Sequence, residues 1–288
     1  MSGDIFAGQP TEPDLLAELY DLEHDDVTED LAFYRELARR HSRAVLDLGC
    51  GSGRLFRAYA DGGAARIVGL DGSPALLRRA GARVAADETL APMHADGRLA
   101  TLTADVRHLD RAQLRRALDG PASLVVVAGV LPHLDGPEDA LALLTGIAGV
   151  LDPRNGIAVF DDIGPGQLPT RDLPLSLDWR RVVSGTQYVR RSQLMVREAP
   201  EGLRVVFSTL VDVGRPDGTI ARLPASHRLW YPSPGVLSTL VREAGLVEEL
   251  AYGSHDLDPP AEDSERRIQL VRRAKEQPGG GTRPSAGG

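Results

Sequence analysis

Lysine is all but missing from this sequence: Lys275 stands alone, and arginine supplies the rest of the 33 basic residues. Covalent chemistry on a lysine amine is therefore essentially unavailable. Cysteine is equally scarce. Cys50 is the single one in 288 residues, so no intramolecular disulfide can form, and a reducing cytoplasmic setting is the expectation. No apolar run approaches the length that spans a bilayer, and no charged segment followed by an apolar core opens the chain, so neither membrane nor export is expected. An excess of positive charge is lacking too. The net charge of -8 argues against a broad electrostatic grip on nucleic acid and leaves room only for a local basic patch.

What the chain does have is Val45-Leu46-Asp47-Leu48-Gly49-Cys50-Gly51-Ser52-Gly53. A hydrophobic run ends at an acid, and a glycine-rich turn then leads into the helical pattern Arg54–Ala58. Strand, tight loop and helix start are the parts with which an α/β fold holds a nucleotide-like ligand. Glycines let that ligand approach the backbone closely. The spacing Gly49-x-Gly51-x-Gly53 puts Arg54 where a dinucleotide fingerprint has its last glycine, and no Gly-Lys-Ser/Thr follows to make a P-loop. Asp47 would repel a pyrophosphate and welcome an ammonium or sulfonium group. An adenosine carrying positive charge is the ligand this implies, and S-adenosylmethionine fits that description. Cys50 reads as a small buried side chain inside the loop, with a reactive thiol as the alternative.

Residues 45–53 match throughout the first motif, (V/L)LD(L/V)GCG(S/T)G, of the class I S-adenosylmethionine-dependent methyltransferases, and the chain resembles that family over residues 15–165 and more loosely beyond. The resemblance implies an α/β, Rossmann-like sheet. Apolar spacing predicts two helices between Asp14 and Arg40, split by Glu23-His24-Asp25-Asp26, with Asp14 as a helix cap. Buried strands are expected over the run ending at Asp47 and at 66–71, 99–103, 123–128 and 157–160, with helices at 74–87, 111–118 and 138–151 between them. Residues 164–178 read as a proline-rich loop. An antiparallel excursion follows, in strands 180–190, 193–198 with 203–213, and 219–230, turned at Pro200-Glu201-Gly202 and Pro216-Asp217-Gly218. A helix at 235–244 and strands at 246–251 and 268–272 complete the pattern. The divisions are an N-terminal helical lid (1–40), whose first 13 residues read as a loose arm, a cofactor-binding core (41–163), the β insertion (164–232), the end of the core (233–274) and a disordered Gly/Pro/Ser-rich tail (275–288).

Asp71, about twenty residues beyond the glycine loop and ending the second strand, is placed to accept both ribose hydroxyls, with Gly72 beside it and Ser73 capping the next helix ahead of Pro74. A plain helix cap or surface turn is its other reading. By position Asp105 matches the family's acceptor for the adenine amino group, with Val106 offering a backbone amide and Arg107 adjoining. Ala128 and Gly129 close the fourth strand, where the methionine portion and the methyl group would lie. His133 resembles the histidine implicated in catalysis in methyltransferases that dimethylate nucleotide-linked amino sugars; capping of the following helix is the alternative. Tyr20, with Asp21, looks like the same family's Tyr-Asp, where the tyrosine lies over the cofactor, so Tyr20 is expected beside His133 among the catalytic residues and in the cofactor site; a core tyrosine on an amphipathic helix is the competing reading. His227, Arg228, Trp230 and Tyr231 form a polar-aromatic cluster that fits a substrate pocket, an interface or buried edge packing. No metal site is read.

The leading function is methyl transfer from S-adenosylmethionine to nitrogen or oxygen of a small specialised metabolite, with a homodimer through the β excursion as one expectation. A nucleic-acid methyltransferase is disfavoured: Ala128–His133 stands where amino-methylating DNA enzymes carry an Asp/Asn-Pro-Pro-aromatic motif, and Asp258-Pro259-Pro260 lies far from the cofactor strands and precedes Ala261. A cofactor-binding fold performing a non-methylating reaction or a structural role is the third reading.

Overall fold

Short runs of β-branched and leucine residues, buried on both faces, form the centre of the molecule. The computed structural model describes residues 13–275. The arm and tail expected at the two ends lie, apart from Pro13 and Lys275, outside the described residues. Helices α1 (Pro13–His24) and α2 (Leu31–Arg40) precede β1 (Val45–Leu48). Then come α3 (Phe56–Asp61), β2 (Ile67–Asp71), α4 (Pro74–Ala86), α5 (Leu90–Ala95), β3 (Leu99–Thr103), α6 (Arg111–Ala117), β4 (Leu124–Ala128), α7 (Pro137–Val150) and β5 (Ile157–Ile163). Four further strands follow: β6 (Leu173–Val183), β7 (Thr186–Ala199), β8 (Gly202–Gly214) and β9 (Ile220–Pro232). The described chain closes with α8 (Pro234–Glu243), β10 (Leu246–Tyr252) and β11 (Arg266–Arg273).

Seven strands make one sheet in the order β10-β11-β5-β4-β1-β2-β3, with β11 antiparallel to both its neighbours. Helices on both faces explain why every position of β1 is buried, Asp47 included. Leu114, Leu143, Ile147 and Leu240 cover one face; Phe33, Phe56, Tyr59 and Leu77 cover the other. Each such side chain contributes about 1.5–3 kcal/mol by leaving water. The strand order reverses between β1 and β4, and their carboxyl ends carry Gly49 and Gly129, so the crevice of an open α/β sheet falls there.

Strands β6 to β9 form a separate antiparallel meander. Here the structure departs from the sequence reading. The loop expected through residue 178 is strand from Leu173 onward, and the single strand expected over 180–190 is instead a hairpin turned at Ser184-Gly185. Both turn residues have positive φ, 49° and 83°, which matches the twist of a two-residue hairpin. The break expected near residue 191 is absent, and β7 runs unbroken to Ala199. The core differs in detail as well. Helix α3 begins at Phe56, two residues later than expected, and Arg54 ahead of it clasps Asp30 over 2.6 Å. Asp14 lies inside the first turn of α1, not at its cap, and pairs with Arg78 of α4. Helix α5 was not expected.

Helix α1 joins the two sheets. Its Leu19, flanked by Leu15, Leu16 and Leu22, packs on Tyr188, Val211, Val213 and Leu223 of the meander. The Tyr188 hydroxyl donates to Glu18 over 2.6 Å, while Asp21 and Asp25 hold Arg79 and Arg83 of α4. The meander is thereby fixed over the carboxyl ends of the core strands. No helix among the described residues is long and apolar enough to cross a membrane.

Candidate active site

The loop after β1 turns through three left-handed glycines, Gly49, Gly51 and Gly53, with φ of 75°, 56° and 75°. At Gly51 a Cβ would come within 2.9 Å of the Tyr20 hydroxyl, and at Gly49 within 2.4 Å of Val130. Both the backbone twist and the space therefore require glycine. The loop is tied to the second strand by Asp71, whose Oδ2 accepts from the Gly51 amide at 2.9 Å and whose Oδ1 accepts from the Ser73 amide at 2.8 Å. The backbone turns at Gly72, and Ser73 caps α4 by accepting from the Leu76 amide. Asp71 is half-buried, and each of its oxygens keeps acceptor capacity beyond these bonds.

Asp47 lies below the loop, buried, and burial pushes its carboxyl up to about 7 against the opposing pull of Tyr59 and Arg54. A cation brought above it would favour its ionised form. Cys50 is buried beneath Gly69, and burial lifts its thiol well above the ordinary range, which makes it a packing group, not a nucleophile. Tyr20 extends from α1 over the loop, its ring stacked 4.2 Å from His24. Burial raises its hydroxyl to about 12, so at neutral pH it stays protonated and does not act as a base.

Beyond β3, Arg107 folds back on Asp105, donating from its amide at 2.9 Å and from its guanidinium at 2.6 Å. That hydrogen bonding holds the Asp105 carboxyl below the usual range. Val106 between them is half-buried against the core. At the end of β4, Ala128 is half-buried, and the Gly129 amide donates to the Asp161 carbonyl at 2.8 Å. A Cβ on Gly129 would stand in open space, so this backbone borders the crevice. The 3-10 turn Leu131–His133 follows, and strand β9 packs on it. His133 does not cap α7, whose first residue is preceded by Gly136 with no side-chain cap. It faces the meander instead, where His227 meets it ring edge to ring face, 5.8 Å between centroids.

Of the polar-aromatic cluster, Trp230 and Tyr231 are buried, and His227 and Arg228 are exposed. Phe207 lies directly opposite His227 in the sheet and shares its face, and Arg190 sits 5.4 Å over the Phe207 ring. Glu23 of α1 and Asp178 of β6 grip Arg190 at 2.9 and 3.2 Å. The sequence singles out His227 as one candidate for a substrate pocket, whereas Phe207, Arg190, Glu23 and Asp178 were not legible beforehand. Neither was Asp161: Tyr34, His255 and Arg266 all converge on its carboxylate. The two adjacent acids in a strand otherwise apolar, Asp161 and Asp162, were the signal that could have found it.

A groove of about 970 Å³ runs along α2 and the β10–β11 edge past Phe33, Tyr252, His255 and Leu270. It is not the glycine-loop crevice, which is identified by its backbone geometry and not by cavity size. Among the described residues no cluster of His, Cys, Asp or Glu is arranged to hold a metal.

Residues 45–154 match the family model of the methyltransferase domain. No curated protein matches the chain. Among solved structures, the chain is similar to the CcbJ methyltransferase from Streptomyces caelestis, with 20% identity, TM-score 0.66, and 90% of this chain and 96% of that one covered. DesVI from Streptomyces venezuelae gives 20% identity, TM-score 0.66 and coverage of 90% and 98%. The sugar N-methyltransferase KedS8 from Streptoalloteichus gives 16% identity, TM-score 0.68 and coverage of 96% and 98%. The chain carries a methyltransferase domain, and the whole has the class I methyltransferase fold with an antiparallel sheet inserted after β5.

Proposed function

We propose that the protein transfers the methyl group of S-adenosylmethionine to a nitrogen or oxygen of a small specialised metabolite, with an amine on a sugar as the leading acceptor. The observation that carries this reading is the Asp71 carboxylate tied to the Gly51 amide, with Tyr20 against that glycine and His133 meeting His227 of the meander. The residues fit the cofactor. Three carboxylates (Asp47, Asp71 and Asp105) surround a glycine-bordered crevice with no phosphate-binding lysine, and they suit a cationic adenosine. Asp71 would accept from the ribose hydroxyls, Asp105 from the adenine amine, and the backbone at Gly49, Gly51, Ala128 and Gly129 would border the methionine portion. When bound, the cofactor supplies a methyl group already activated on a sulfonium.

The chain's own residues then have little covalent work. Positioning is the main contribution, and holding nucleophile and methyl in line is worth as much as about 7–11 kcal/mol. Tyr20 closes the loop from above and, with α1 and α2, acts as a lid that excludes water. His133 takes or orients the acceptor's proton, a contribution of roughly 10²–10⁴-fold. The names of similar structures support the acceptor class: KedS8 is a sugar N-methyltransferase and CalS10 an amino pentose methyltransferase.

Leu173, Leu175 and Leu177, exposed on the edge strand β6, support a homodimer built on that edge. The lone buried cysteine supports a cytoplasmic setting. Isothermal titration with S-adenosylmethionine tests the reading. Binding in the wild type that Asp71→Ala abolishes is expected; equal behaviour of the two proteins, or no binding by either, overturns it.

A further inference from the structure

The methyl-transfer reading needs one proton to leave the acceptor for each methyl group delivered, and the crevice offers two imidazoles, not one. His133 comes from the turn after β4 and His227 from β9 of the meander, and the rings meet edge to face with 5.8 Å between centroids. Both histidines are exposed to solvent. Resting on that reading, we infer that His227 is a second proton-accepting group of the active site, acting with His133 as one unit that takes up a single proton from the acceptor.

The surroundings are consistent with this role. Facing His133 are Asp71 from the end of β2 and His227; the neighbouring Asp135 is exposed, with Arg107 at 3.5 Å and Arg204 on its carbonyl. Facing His227 is Arg190 of β7, itself held by Glu23 of α1 and Asp178 of β6. Partial desolvation lowers both imidazoles below the ordinary histidine range; a proton on His227 would lower His133 further, and Arg190 lowers His227 further. Both rings are thus neutral and able to accept at neutral pH. Once one is protonated, its charge disfavours protonation of the other, so the pair holds one proton.

The step balances. The nitrogen or oxygen lone pair forms a bond to the methyl carbon as the carbon–sulfur bond breaks, and that electron pair stays on sulfur. The acceptor's N–H or O–H proton passes to an imidazole nitrogen of the pair and from there to water. The second ring also gives the wall a reason to be attached to the core through helix α1. A core histidine alone would lack the second acceptor that the meander brings to it.

The test begins with the histidine Cε1–H signals of the full-length protein saturated with S-adenosylhomocysteine, followed against pH in wild type, His227→Gln and His133→Gln. Each substitution is expected to raise the midpoint of the remaining histidine by about half a pH unit or more. Midpoints that do not move overturn the inference. On whichever amino sugar the wild type methylates, His227→Gln and His227→Phe are both expected to lower kcat/KM at pH 7 by about 10²-fold. The acid limb is expected to shift upward in both, and the double variant with His133→Gln to fall no further than the single ones. If His227→Phe restores the wild-type rate and pH profile, the ring serves packing alone and the inference is wrong. If no amino sugar is methylated while the midpoints still move together, the pair stands and it is the acceptor assignment that fails.

Discussion

The Tyr34 hydroxyl donates to the Asp161 carboxylate over 2.5 Å, joining helix α2 to strand β5 within the protein interior. His255 bonds the same oxygen at 2.8 Å, and Arg266 approaches the other at 2.6 and 2.9 Å. Burial alone would raise this carboxyl, yet His255, Arg266 and Tyr34 outweigh it and hold it below the usual range. Asp161 also presents its carbonyl to the Gly129 amide, so the network buttresses the crevice from behind.

Removing the charge at Asp161 leaves Arg266 partly buried without its partner. Asp161→Asn is expected to lower stability by about 3 kcal/mol or more, and Tyr34→Phe by about 1 kcal/mol, in urea unfolding at pH 7. Because the Asp161 carboxyl is depressed in the folded state, the wild type gains stability above the unfolded pKa and loses it as the pH falls through the folded one. The difference between wild type and Asp161→Asn should therefore shrink on acidification. A difference constant from pH 7 to pH 3 would contradict the assignment.

Asp47 carries the opposite sign. Its carboxyl is raised from 3.8 to about 7, so the folded protein holds that proton more tightly, and stability falls as the pH rises through this window. Asp47→Asn should raise the melting temperature of the cofactor-free protein at pH 8 and change it little at pH 3.5. The same variant should weaken S-adenosylmethionine binding at pH 8. A variant that melts lower at pH 8 would refute the burial argument.

Gly51→Ala tests the loop. The left-handed backbone disfavours any Cβ by about 1–2 kcal/mol, and this Cβ would come within 2.9 Å of the Tyr20 hydroxyl. Cofactor affinity is expected to fall at least tenfold. Adding Tyr20→Ala removes the contact but not the backbone strain, so affinity should not return. Recovery in the double variant, read by titration calorimetry, would locate the whole effect in the tyrosine.

Asp71 separates positioning from charge. Asp71→Asn keeps an oxygen for one of the two amides and should bind cofactor more weakly than wild type but better than Asp71→Ala. Equal affinity in all three proteins would remove Asp71 from the site.

Much of the core was legible because its chemistry is local. Residues 45–53 show strand, turn and helix start in nine letters, and Ser73-Pro74 announces a helix by cap and fixed φ. The meander was less legible. Ser184 adopts φ of 49°, a conformation its side chain does not advertise, and the Ser-Gly pair was the only local cue to the hairpin. Helix α5 is short and contains Pro92, which masks its period. The pairing of His133 with His227 and the convergence of Tyr34, His255 and Arg266 on Asp161 join residues remote in sequence, and no spacing rule reaches that far.

The most direct measurement is mass spectrometry of a panel of free and nucleotide-linked amino sugars incubated with the protein and S-adenosylmethionine labelled in its methyl group. Methyl transfer requires a labelled product heavier by one methylene unit, formed in step with S-adenosylhomocysteine and lost in Asp71→Ala. Bound cofactor with S-adenosylhomocysteine never released, or released without a labelled product, would contradict it.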